Sequence, residues 1–408
     1  MTVPAAPQIG PQGPALPIRP AIAELEESRI VDVWRLGFSV PDVIGLWVGE
    51  GDLPTPAFIC EAATAALRAG ETFYTHKRGL PELRQAIADY TAAIHGVALT
   101  DDRIAVTSAG MNAMVLVMQT VIGAGDNLVA VTPVWPNIFA TAEIMGGEVR
   151  QVPLQPGEGG WTLDLDRLFD RCDARTRALY IATPGNPTGW MMPAAQQREV
   201  MAFCRRRGIL MVADEVYGRF VYEPVPEDGR AGGRRDVAPS FLETAGPDDP
   251  LVVVNSFSKA WAMTGWRLGW MVLPRALTPV IERLIEFNTC GAPPFLQRGG
   301  IVALRDGEPF VAEMVARCGA GRDLVIRRLG QMRRVRVIRP EAAFYVMFQV
   351  EGMTDSLAFA KRLVREARVG LAPGSAFGPG GEGHLRLCFA SSTERLAEAM
   401  DRLEPLLD

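Results

Sequence analysis

The middle of the chain alternates short apolar runs with longer segments whose apolar residues fall at helical spacing. The runs are Ile104–Thr107, Asn127–Val131, Ala178–Ala182, Ile209–Ala213 and Leu251–Asn255. Each is apolar at consecutive positions, which predicts strands buried on both faces, and the segments between them are long enough for crossover helices. The pattern predicts an α/β fold with a mostly parallel sheet between two layers of helices. Ligands of such sheets gather beyond the carboxyl ends of the strands. That rule brings the turn at Gly110, Asp214, Tyr217 and Ser256–Lys259 to one rim, although they are far apart in sequence.

The ends of the chain read differently. Met1 to Pro20 is rich in proline and glycine and predicts an extended arm, with a helix starting after Pro20. Pro81 suits the first turn of another helix, where its missing N–H costs nothing. Past a long helical region, strands are predicted at Val335–Ile338, Ala343–Val350 and His384–Phe389, with a helix at Ser356–Arg368. This is a smaller α+β unit. The expected division is an arm over 1–20, a first part of the small domain over 21–48, a large domain over 49–295 and the rest of the small domain over 296–408. A site between the domains follows. The arginines between Arg317 and Arg339 read as a solvated helical face, because Leu324, Val325, Ile326 and Leu329 give the segment a core side.

Composition narrows the classes. With 408 residues, 48% hydrophobic and 22% charged, the chain suits a soluble two-domain enzyme. A formal net charge of -5 offers no general attraction to nucleic acid or anionic lipid, so small-molecule partners are expected. The cysteines and histidines share no ligand-like spacing, and no metal site is expected. No basic leader precedes an apolar core and no apolar run is long enough to cross a bilayer, which makes the cytoplasm the expected compartment.

The chemistry is concentrated in Ser256-Phe257-Ser258-Lys259 and Gly265-Trp266-Arg267-Leu268-Gly269. A lysine that forms a Schiff base and shuttles protons needs a partly desolvated pocket, and the serines with Arg267 supply donors for a phosphate. Together they point to pyridoxal phosphate. Asp214, at a strand end, suits the pyridine nitrogen as a counter-charge that makes the ring an electron sink. Tyr217 can offer its phenol to the cofactor's O3′, or pack in the core. Asn186, in Pro184-Gly185-Asn186-Pro187-Thr188-Gly189, can donate to the same oxygen, although a simple turn explains its neighbours equally well. Ala109-Gly110-Met111 opens an apolar helix whose free amides and dipole suit a phosphate; it is neither a Walker A nor a GxGxxG sequence. Trp135 follows another strand and suits a ring face or the core. Arg386, in a strand of the small domain, suits a bidentate clamp on an α-carboxylate.

These residues resemble the class I/II aminotransferases among the fold-type I pyridoxal-phosphate enzymes, over roughly Leu46 to Phe389. The resemblance implies a seven-stranded sheet in the large domain and a Schiff base at Lys259. It implies Ser256, Ser258 and Arg267 at the phosphate, Asp214 at the ring nitrogen, Tyr217 and Asn186 at O3′, Trp135 stacked on the ring and Arg386 on the substrate carboxylate. It also implies a cis bond before Pro187 and a homodimer with shared sites, in which Tyr74 reaches the partner's phosphate and Gly49 offers an amide near the carboxylate. The chain departs from the family at Gly49-Glu50-Gly51-Asp52, where relatives read Gly-x-Pro-Asp, at Trp135, where many carry tyrosine, and at Met111, where some carry a polar residue.

The leading expectation is therefore an aminotransferase that moves nitrogen between an L-amino acid and a 2-oxo acid in two half-reactions. A carbon–sulfur β-lyase on the same scaffold is the alternative. A pyridoxal-phosphate-dependent transcription regulator is not expected, since the arm leaves no room for a winged helix. For the side chain, His76, Lys77 or Arg78 could supply from either subunit the second cation a dicarboxylate needs, and favour aspartate or glutamate with 2-oxoglutarate. Trp47, Trp135, Phe38 or Phe377 could instead receive an apolar one.

Overall fold

The computed structural model describes residues 16–157, 159–226 and 234–408. Strands β1 (Ile104–Thr107), β2 (Asn127–Thr132), β3 (Glu148–Pro153), β4 (Thr176–Ala182), β5 (Leu210–Asp214), β6 (Leu251–Ser256) and β7 (Gly269–Val272) form one sheet in the order β1-β7-β6-β5-β4-β2-β3. β7 runs antiparallel to both neighbours and the remaining pairs are parallel. The expected seven-stranded, mostly parallel sheet is present. Period-two alternation divides its side chains between two apolar clusters. Val106, Val129, Ile181, Ala213 and Val253 pack into one, and Ala105, Leu128, Tyr180, Val212 and Val252 into the other. Helices cover both faces, as strands apolar on both sides require.

Two strands escape the pattern of apolar runs. β3 lies at the sheet edge and carries Glu148, Arg150 and Gln151, so it never becomes a continuous apolar run. β7 is short and directly follows the lysine motif. Its first residue, Gly269, is placed so that a Cβ would lie 2.8 Å from the Gly110 amide nitrogen. Glycine here lets the turn that opens helix Ala109–Val121 sit against the sheet.

The smaller sheet contains β8 (Val335–Val337), β9 (Tyr345–Val350), β10 (Ala372–Pro373) and β11 (His384–Cys388), antiparallel in the order β8-β9-β11-β10. Segment 44–52 is stitched to it. Ile44 and Gly45 pair in parallel with Val369 and Gly370, the Cys388 amide donates to the Leu46 carbonyl at 3.0 Å, and the Asp52 amide donates to Ala390 at 3.2 Å. Gly370 is required by this pairing, since a Cβ would fall 1.6 Å from the Trp47 ring. The Asp52 carboxylate accepts from Arg317 at 2.8 Å, the Ser391 hydroxyl at 3.1 Å and the Ser392 amide at 2.9 Å. Helix Arg29–Gly37 lies nearby, with Asp32 paired to Lys361 at 3.5 Å.

The helix expected after Pro20 is the single turn Pro20–Ala23, and residues 1–15 of the expected arm lie outside the described residues. The solvated arginine face is present, with Arg327, Arg333, Arg336 and Arg339 exposed, and Arg322 is its exception. Arg322 is buried with its guanidinium 4.5 Å from the Tyr222 ring centroid, while Arg328 pairs with Asp401 and Arg339 with Glu223. Internal packing and ion pairs occupy these cations. Among the described residues, no helix is long and apolar enough to cross a membrane.

Candidate active site

A cleft of about 450 Å³ opens between the carboxyl ends of the large sheet and the smaller one. Short turns deliver its residues. Asp214 ends β5, with Val216 and Tyr217 following it; Ser256 ends β6, with Ser258 and Lys259 following; Gly110 and Met111 follow β1. Trp135 comes from the turn after β2, Asn186 from the turn after β4, Arg267 from the turn before β7, and Arg386 from β11 across the cleft. The asparagine precedes a cis bond to Pro187, as the resemblance implies. All of these residues line the cleft, as does Gly49.

Lys259 is half-buried, and its Nζ donates to the Gly49 carbonyl at 2.6 Å. Burial is the main cause that pushes its pKa down from 10.5 to about 8; Arg386 and Arg267 add repulsion, against Cys388 and Glu50. A neutral amine is thus accessible near neutrality. Asp214 is buried and accepts from the Tyr180 hydroxyl at 2.9 Å and the Val216 amide at 3.3 Å. Burial raises its pKa, while these hydrogen bonds and Lys259 pull it down. The Tyr217 hydroxyl shares a 2.6 Å hydrogen bond with that of Tyr345. Burial is also the main reason that the Tyr217 phenol stays protonated well above its usual range.

At one end of the cleft the Ser256 hydroxyl donates to Ser258 Oγ at 2.9 Å and accepts from the Ser258 amide at 3.1 Å. Arg267 has left-handed backbone (φ 52°) and uses Nη1 on the Thr264 carbonyl at 2.7 Å. At the other end, Arg386 is 2% exposed. Its Nη1 donates to Asn186 Oδ1 at 3.3 Å and its Nη2 to the Trp47 carbonyl, while its Nε has no partner. The guanidinium lies 4.7 Å from the Tyr345 ring centroid and 5.2 Å from that of Phe377. Aromatic faces thus hold a planar fork aimed into the cleft.

Several expectations need correction. Ala109 does not line the cleft; it carries the left-handed turn (φ 80°) that presents Gly110 and Met111. Gly49 engages through its carbonyl, and it must be glycine because a Cβ would lie 2.0 Å from the Tyr345 hydroxyl. Tyr74 needs no correction, since its expected place is a partner's site: it is 87% exposed and stands outside its own chain's cleft. His76, Lys77 and Arg78 face Glu282 and Glu286 at 3.7, 2.5 and 3.1 Å, and none of them lines the cleft of its own chain. Phe38 points to solvent and Phe377 is buried beneath Arg386.

Other residues were not singled out by sequence. Tyr345 bridges Tyr217 and Arg386, and Tyr180 braces Asp214; each is a tyrosine beside apolar strand neighbours, which was the available signal. Ile30, Val31 and Trp34 line the cleft from helix Arg29–Gly37.

A half-buried lysine, a strand-end aspartate and a cleft arginine on this two-sheet frame define a fold-type I pyridoxal-phosphate enzyme. The family model for aminotransferases of class I and II matches residues 41–403, and the chain belongs to that family. An aspartate aminotransferase of Pyrococcus horikoshii is 32% identical over 94% of this chain and 95% of its own length. An arginine–pyruvate transaminase of Pseudomonas aeruginosa is 33% identical over 89% of each. The solved structure of an aromatic aminotransferase from Pyrococcus horikoshii superposes with a TM-score of 0.82 at 32% identity, over 93% of this chain and 98% of that one. The protein is an aminotransferase, and its family implies pyridoxal phosphate as cofactor.

Proposed function

We propose that this enzyme moves an amino group between an L-amino acid and a 2-oxo acid in two half-reactions, with Lys259 as its covalent and proton-transferring residue. The observation that carries the reading is the half-buried Lys259 amine, pushed down to about 8, in one cleft with Asp214 and Arg386. The residues present fit pyridoxal phosphate. Ser256, Ser258, Arg267 and the start of helix Ala109–Val121 form an anion cradle, and the buried Asp214 carboxylate suits a pyridinium partner. Tyr217 and Asn186 are placed for the ring oxygen and Trp135 for a ring face. Bound there, the cofactor would supply an aldehyde that captures the amine and a ring that accepts the electron pair left at Cα.

The chain's own residues do the rest. Arg386 holds the α-carboxylate with its fork, which fixes the Cα–H bond near Lys259. Lys259, neutral once displaced, removes that proton and returns it one atom away. Tyr345 keeps Tyr217 and Arg386 in register. The exposed Tyr74, beside the equally exposed Phe73, reads as a contribution to a partner subunit's site in a homodimer. The names of the relatives divide over the donor, some being aspartate aminotransferases and another an aromatic-amino-acid aminotransferase.

The test is to mix purified holoenzyme with single amino acids, follow the cofactor absorbance and analyse the products. The proposal expects the aminated cofactor together with the matching 2-oxo acid. Steady release of pyruvate and ammonia without amination would make the enzyme a β-lyase instead.

A further inference from the structure

The charged groups of the cleft are few, and each already has a task. Among the described residues that line it, only Asp214, Lys259, Arg267 and Arg386 carry charge. On the reading above, one meets the ring nitrogen, one is the reacting amine, one binds phosphate and one binds the α-carboxylate. Among the described residues of one chain, no cation remains in the cleft for a second carboxylate and no carboxylate for a cationic side chain.

The wall left for the side chain is uncharged and mainly apolar, with Ser28 and Asn137 as its polar members. Helix Arg29–Gly37 turns Ile30, Val31 and Trp34 to the cleft, and Val48 and Met111 line it as well. The helix's own charges are engaged elsewhere: Arg29 with Glu26, Asp32 with Lys361 and Arg35 with Glu27. Trp34 remains 41% exposed and Val48 42% exposed at this lip. Large apolar side chains at a cleft mouth gain most from an apolar ligand, because both surfaces then leave water. A carboxylate placed there would lose its hydration with no cationic partner in return.

We propose that this aminotransferase takes large uncharged apolar L-amino acids, aromatic ones foremost, and discriminates against dicarboxylates. The inference rests on the aminotransferase reading and deepens it by naming the side-chain class. It departs from the pairing of aspartate or glutamate with 2-oxoglutarate, because within one chain the cations that would support that pairing are held by Glu282 and Glu286.

Single-turnover kinetics of the full-length holoenzyme would test it, with phenylalanine, tyrosine, leucine, aspartate, glutamate and arginine as separate donors and cofactor absorbance as readout. Phenylalanine or tyrosine is expected to exceed aspartate and glutamate by about 10²-fold in rate per concentration. In Val31→Arg, which adds a cation to the wall, this ratio is expected to fall by about tenfold or more. Wild-type enzyme that aminates its cofactor as fast with aspartate or glutamate as with phenylalanine would overturn the side-chain proposal and leave the aminotransferase reading intact. Failure of every donor to aminate the cofactor would overturn the underlying reading as well. The wild-type panel decides the matter even where the variant does not fold.

Discussion

The two sides of the cleft are built on different principles. The rim of the large sheet holds Lys259, Asp214, Ser256 and Ser258 on turns that leave rigid strands, each fixed by named hydrogen bonds. The facing wall of Ile30, Val31 and Trp34 sits on one nine-residue helix and brings no charge to the cleft. Directional bonds fix where a reaction occurs, whereas apolar packing only ranks what fits. The rim therefore governs rate for every substrate, and the wall governs the ratio between substrates.

Variants of the charged cleft residues should separate the two sides. Lys259→Ala removes the covalent and proton-transferring group and should lower turnover by roughly 10⁴-fold for all donors, measured by steady-state assay. A loss confined to one donor class would place the chemistry elsewhere. Arg386→Lys replaces a fork with a point charge and should lower kcat/KM by about 10²-fold for apolar and acidic donors alike. Unequal losses would show that Arg386 reads the side chain too.

The depressed Lys259 pKa gives a pH signature. An aldehyde reacts with the neutral amine, and that fraction grows as pH rises toward about 8 and levels off beyond it. Cofactor capture by the apoprotein, followed by stopped-flow absorbance, should accelerate about tenfold per pH unit below that point and then plateau. A rise that continues toward 10.5, the value of a free lysine, would show that burial does not act on Lys259. The smallest effect is expected for Tyr345→Phe, which leaves the buried Tyr217 hydroxyl without its partner. One lost hydrogen bond of about 1 kcal/mol corresponds to roughly fivefold in turnover, again uniform across donors.

Much of the rim was legible because its residues are unusual for their setting. A lysine flanked by hydroxyls after an apolar strand, or an aspartate closing one, interrupts a run that otherwise reads as core. The strands β1, β2, β4, β5 and β6 were legible for the same reason: buried on both faces, they leave continuous apolar runs. The wall gave no such contrast. Ile30, Val31 and Trp34 follow a helical repeat that looks the same facing a core or a cleft. The fate of His76, Lys77 and Arg78 was equally hidden, because their partners Glu282 and Glu286 lie on a helix remote in sequence. Burial of Arg322 against Tyr222 likewise depends on a contact that no local pattern encodes.

The stitching of segment 44–52 to the smaller sheet has a mechanical consequence. Gly49, whose carbonyl receives the Lys259 amine, and Arg386, on β11, belong to one body, clasped at Ile44, at Leu46 and again at Asp52. The jaw and its latch are cast together. A swing of that body away from the large sheet would draw the arginine off the substrate and the carbonyl off the lysine in one stroke, so that letting go of the product and resetting the amine become a single movement.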